Sequence, residues 1–146
     1  MIPDTMTFFT LVGAAVAAWL FGALWYGALS RPWIAAQDMT VEAFKARQAT
    51  QAGRLAAMTP FILSFIAEVL MAYVLYGLIK HVAHTNPLSI RTGLISAGFV
   101  WFGFILTSMA VNNAFSGRKA ALTMIDAGHW LGVMLILGGV IGAFAT

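Results

Sequence analysis

The chain has 146 residues, of which 61% are hydrophobic and only 9% charged, with a mean hydropathy of +0.88. Soluble domains are about half apolar and a quarter charged, so this composition excludes an ordinary soluble fold and leaves no length for a separate catalytic domain. The net charge of +3 is spread over short loops, which reads as contact with membrane lipids rather than a nucleic-acid role, and the absence of cysteine excludes disulfides, thiolate metal ligands and covalent haem.

Four apolar stretches, each long enough to cross a hydrocarbon core of roughly 30 Å as a helix, predict an all-α polytopic membrane protein. The spans fall at about 7–29, 57–80, 91–115 and 122–144, within a single membrane domain over residues 1–146 that forms a four-helix bundle. The first is read as a retained helix: no Lys or Arg precedes Arg31, and the apolar run from Phe8 to Leu29 exceeds the core of an ordinary secretory signal. Arg31-Pro32 reads as its stop. Trp25, Tyr26 and Trp33 bracket this exit, either as anchors at the headgroup level or as the lining of a cavity beside the fourth span.

In the first loop Thr40 predicts a cap for a short helix from Val41 to about Gly53, with Phe44 and alanines interleaved among polar residues. Its weak apolar face suits either an interfacial helix on the cytoplasmic surface or a solvated one. Glu68 lies about eleven residues into the second span, near mid-bilayer, on a face with Phe61, Ser64, Ala72 and Leu75. A charged carboxylate there costs at least a few kcal/mol, so it is either a neutral acid bonded to a neighbouring helix or a ligand or proton group. His81 and His84 follow beside Lys80 in metal-compatible spacing, but an interfacial loop of this kind reads as headgroup contact.

The third span carries a stripe of small residues, Ser96, Gly103, Thr107 and Ala110, and Trp101 further into lipid, and ends on Asn112 and Asn113. After the turn at Gly117-Arg118-Lys119, the fourth span places Asp126 and His129 three residues apart, where they can serve one site on a helix; Trp130 also lies further into lipid. By depth, Glu68, Asn112, Asn113, Asp126 and His129 form one intramembrane polar cluster. Its functional reading is a proton or cation path, or a pocket for a polar headgroup or small metabolite, with His129 as the titrating group. Its structural reading has Asp126 facing the positive end of the fourth helix and the asparagines capping the third. The ligand spacing supports no metal, and no cofactor is expected. Gly128, Gly132, Gly139 and Gly142 fall on one face of the fourth helix, a packing stripe for contacts within the bundle, for a homo-oligomer or for a larger membrane complex.

Arg31, Lys45, Arg47, Arg54, Arg118 and Lys119 lie in the first and third loops, against Lys80 and Arg91 around the second. That bias predicts a bacterial inner-membrane protein with both termini on the periplasmic side.

The Trp25-Tyr26 pair followed by Pro32-Trp33, the run from Val111 to Arg118 and Ile125-Asp126-Ala127-Gly128-His129 together resemble the small bacterial membrane proteins of the domain of unknown function 1761 family, over nearly the whole chain. The resemblance implies a four-helix membrane protein and supplies no mechanism; Trp25, Tyr26, Asn112, Gly117, Asp126 and His129 are its motif-matched positions. On the residues alone, the expected role is an accessory or scaffold subunit that binds itself or a larger complex through its small-residue faces. The alternative is a small transporter or channel that uses the polar cluster. No nucleophile elbow, metalloprotease helix, phosphate loop or dinucleotide fingerprint marks the chain as an enzyme.

Overall fold

The computed structural model describes residues 3–82 and 88–145, which are helical with no strand among them. His84, Asn86 and Pro87 lie outside the described residues. Helix α1 (Thr5–Ala28) starts where the Asp4 carboxylate accepts the Thr7 N–H at 2.7 Å, satisfying one of the orphan donors of a helix start. Its buried stripe, Thr7, Leu11, Ala14, Ala15, Ala18 and Gly22, repeats every three to four residues and is made mostly of small side chains.

A second helix, α2 (Ser30–Ala36), follows almost directly. The Arg31-Pro32 stop is therefore a joint: α1 and α2 flank Leu29, and Pro32 sits in the first turn of α2, where its missing N–H has no intrahelical partner to lose. Helix α3 (Val41–Ala49) is capped by the Thr40 hydroxyl, which accepts the Ala43 N–H at 3.1 Å. It ends four residues short of the expected Gly53, because Thr50 takes an extended conformation and α4 (Gln51–Val82) begins at once. Pro60 sits inside α4 without ending it.

The third span runs from α5 (Ile90–Val100) through a π-helical segment, Trp101–Leu106, into α6 (Thr107–Phe115). Gly117, with a φ of +63°, closes it in the left-handed conformation that glycine adopts without penalty. Helix α7 (Ala120–Phe144) is the fourth span. All four spans are long and apolar enough to cross a membrane, as a multi-pass membrane protein requires.

The sequence leaves helix order open, and the structure sets it: α7 touches α1, α4 and the third span, whereas α1 does not touch the third span among the described residues. The shared core is built from Leu11, Leu75, Ile79, Val133, Met134, Leu137 and Ile141. Helix α4 meets α5 but separates from the π segment and α6, leaving an apolar groove of about 280 Å³ lined by Leu70, Met71, Val74, Leu75, Leu78, Val100, Ile105 and Met134.

The glycines of α7 are spent on this packing. A methyl group at Gly128 would stand 2.9 Å from the Trp25 ring, and one at Gly132 would overlap the Phe21 ring, so both face α1. Gly142 abuts the Ser89 backbone, while Gly139 meets only the Leu94 side chain, at 3.6 Å. The tightest approach involves two residues outside the expected stripe: Gly138 and Gly93 lie backbone to backbone between α7 and α5. On the third span, Gly103 has nothing within 4 Å and the Thr107 hydroxyl bonds its own backbone at Gly103, so among the described residues this part of the stripe makes no helix contact.

Candidate functional site

At the end of the bundle nearest α2 and α3, three consecutive residues of α7 accept side-chain hydrogen bonds from three different elements. The Trp25 indole of α1 donates to the Ile125 carbonyl at 3.1 Å, and the Trp101 indole of the π segment donates to the Ala127 carbonyl at 2.9 Å. Between them, the Asp126 Oδ1 accepts both the Tyr26 hydroxyl at 2.9 Å and the Trp33 indole of α2 at 3.1 Å. Each helical carbonyl already serves its own ladder, and its second lone pair takes the indole. Aromatic residues that read as headgroup anchors, and Trp101, which reads as lying further into lipid, thus form a collar of donors around α7. The i, i+1 pair Trp25-Tyr26 is the signal that could have revealed it, since neighbouring donors meet neighbouring acceptors on an antiparallel helix.

Asp126 is the seventh residue of α7, beyond the first turn where the helix dipole acts, so its structural partners are Tyr26 and Trp33 rather than the helix end. The nearby ion pair of Lys119 with Asp38 joins exposed side chains across the α2 turn.

His129 lies one turn deeper and is 4% exposed. Its ring stacks on Phe21 with centroids 6.2 Å apart, tilts against Tyr26 at 4.8 Å and meets the edge of Trp130 at 5.1 Å. Gly22 makes room for it: a methyl group there would stand 2.7 Å from the His129 Nε2. The other ring nitrogen, Nδ1, is buried with no hydrogen-bond partner.

Glu68 is 1% exposed, and its Oε2 is likewise buried without a partner. It continues the α4 face of Phe61 and Phe65, whose rings meet Trp19 of α1 and whose Phe61 carbonyl accepts the Trp19 indole at 3.0 Å. That register sets Glu68 level with about Ala14 and Ala15, whereas His129 is level with Gly22; the two are separated by roughly two turns, about 10 Å. No hydrogen bond joins Glu68 to His129 or to Asp126.

The structure thus divides the expected cluster. Asp126 and His129 share one site through Tyr26, and Glu68 stands apart, deeper in the bundle. Asn113 donates to the Thr123 hydroxyl at 2.9 Å near the end of the third span, and Asn112 is exposed. Among the described residues no three His, Cys, Asp or Glu side chains gather as metal ligands.

No curated protein and no solved structure matches the chain. A family model described as "Protein of unknown function (DUF1761)" matches residues 9–142, and the helices and motif residues that carried the resemblance all lie within or across that stretch. The chain therefore belongs to the domain of unknown function 1761 family.

Proposed function

We propose that this protein is a small membrane transporter or channel for a proton or small cation, with Glu68 and His129 as its working groups. One observation carries the reading. Glu68 Oε2 and His129 Nδ1 are buried polar atoms without partners, and each such atom costs about 1–3 kcal/mol. Neither is needed to hold the helices, which close glycines and the tryptophan collar already join. The three buried polar side chains of the described residues, Thr7, Glu68 and His129, stand on three helices that pack against one another, α1, α4 and α7. Buried ionisable groups inside membrane spans mark ion and proton pathways.

The test is flux. Purified protein in lipid vesicles with a trapped pH-sensitive dye is exposed to an imposed proton gradient under a fixed potential. Wild type is expected to exceed protein-free vesicles by at least tenfold, with Glu68→Gln abolishing the flux and His129→Asn reducing it. Flux that both variants leave intact removes Glu68 and His129 from the mechanism.

An accessory or homo-oligomeric role is favoured by a different observation. Of the most apolar window of the third span only 6% is buried within the chain, against 44% for α7, so Phe99, Phe102, Phe104 and Phe115 stand exposed. Its contact surface would then be the third span, not the glycines of α7. In either role we place the α2 and α3 end in the cytoplasm of a bacterial inner membrane, since Arg31, Lys45, Arg47, Arg54, Arg118 and Lys119 gather there. The cysteine-free chain makes this simple to check: a cysteine introduced at Ala49 should be shielded from an impermeant thiol reagent in intact cells.

A further inference from the structure

We infer that two copies of this chain pair through the third span, with Ser108 and Asn112 of each copy meeting the same residues of the other across a two-fold axis along the membrane normal. The inference deepens the homo-oligomeric reading, rests on it and is independent of transport.

The π segment creates the surface. In an unbroken α-helix, Phe104, Ser108, Val111 and Phe115 would fall within about 60° of Gly93 and Ala97, the α5 residues that pack on Gly138 of α7. A π segment amounts to one residue inserted into the helix, which turns everything after it by about 100°. The continuation of the face that packs on α7 is thereby rotated outward. Phe104, Val111 and Phe115 stand exposed, and so do Ser108 and Asn112. Among the described residues α6 touches only α7 and the π segment.

That outward face carries unmet hydrogen bonds. Thr10, Thr59, Ser64 and Thr107 each return a hydroxyl to a carbonyl of their own helix, which satisfies it in the absence of water. The side chains of Ser108 and Asn112, one turn apart, bond no described residue. The neighbouring Asn113 bonds Thr123, one turn inside α7 from Lys119, so the Asn112 amide lies within the span and not in the loop.

Lipid chains offer neither donor nor acceptor, whereas Ser and Asn side chains bonded across helices hold membrane bundles together. An amide carries a donor and an acceptor side by side. Two identical amides facing each other across a two-fold axis therefore satisfy both, and Asn112 finds its complement in the partner subunit's Asn112. From Thr92 to Gly117 the chain has no charged residue, so pairing buries no charge. Ser108, Val111 and Phe115 recur at three and four residues, the spacing of helices packed at about 20°.

The experiment begins with oxidative cross-linking in native membranes, using single cysteines in this cysteine-free chain. Ser108→Cys, Val111→Cys and Phe115→Cys are expected to give a product of twice the chain's mass. Ala110→Cys, on the opposite face of α6, is expected to give none, since a disulfide needs Cα atoms within about 7 Å. Energy transfer between copies labelled at Ala49→Cys, followed on dilution into lipid vesicles, then measures the strength of pairing. Asn112→Leu should raise the dissociation constant about tenfold, and Asn112→Gln, which keeps the amide, should stay within about threefold. Unfolding of the single chain should be alike in all three proteins, because the Asn112 side chain bonds nothing within it, and this separates loss of pairing from loss of fold. A chain that stays monomeric at every dilution overturns the inference and the homo-oligomeric reading together. Self-association that cross-links through Ala110→Cys, or that Asn112→Leu leaves unmoved, overturns the inference alone. So does a cross-linked product that holds a different protein, which assigns the face to a larger complex.

Discussion

Replacing Gly138 with alanine adds one methyl group at the narrowest point of the molecule. That carbon would stand 2.7 Å from the Cβ of Ala97 and closer still to the Gly93 carbonyl oxygen, and neither is the free end of a flexible side chain. Helix α5 must therefore move away from α7, which also loosens the contact of Gly142 with Ser89 one turn further on. Overpacking costs about 1–3 kcal/mol, and a backbone obstacle puts this case near the upper figure. Alanine returns about 1 kcal/mol through its better helix propensity, leaving a net loss of about 2 kcal/mol, or roughly 30-fold in the unfolding equilibrium. Gly98 lies on the same helix as Gly93 but has nothing within 4 Å, so Gly98→Ala keeps the propensity gain without the clash. The two variants should differ by about 3 kcal/mol in reversible unfolding in mixed micelles. If Gly138→Ala is as stable as Gly98→Ala, the backbone contact between α5 and α7 is not what holds the third span.

Glu68→Met should raise stability by about 1–3 kcal/mol, since it removes an unpartnered buried polar atom without opening a cavity, while abolishing proton flux; a loss of stability would mean the carboxyl group holds a helix in place. Tyr26→Phe and Trp33→Phe each delete a donor to the Asp126 Oδ1, at a cost of about 1.5–3 kcal/mol if that carboxylate is charged. Because they share one acceptor, a double-mutant cycle should show coupling of at least about 0.5 kcal/mol, and strict additivity would contradict the shared bond. Lys119→Gln removes an exposed ion pair with Asp38 and should change stability by less than about 0.5 kcal/mol at physiological salt. A larger loss would assign α2 docking to that pair and not to the Trp33 bond.

The four spans were legible because hydrocarbon thickness dictates them: each expected boundary in the third and fourth lies within two residues of the observed helix end, and the Thr40 cap is seen as expected. What the sequence concealed lies at two kinds of place. Pro32 reads as a stop by its rigid ring, yet the first turn of a helix has no bond for it to break, so α2 stayed hidden. The partners of Trp25, Trp33 and Trp101 depend on which helix lies beside which, and one-dimensional spacing carries no neighbour list. The same gap explains the division of the polar cluster. Depth placed Glu68 near His129, but the Trp19 register with Phe61 and Phe65 slides α4 so that the carboxyl group lies against alanines instead. The small residues of α7 read as contacts from their spacing, but that spacing points one residue off at the far end, to Gly139 where the contact is made by Gly138.

The central position of α7 has a consequence for biosynthesis. It is the last of the four spans to leave a ribosome, and it packs against all three of the others, whereas the first and third spans do not touch each other among the described residues. Until it inserts, the Trp25, Tyr26, Trp33 and Trp101 donors lack their acceptors, and the Gly93 backbone has no neighbour to receive it. The earlier helices can meet through the contacts of α4 with α1 and α5, but the bundle closes only when α7 inserts, in one late step.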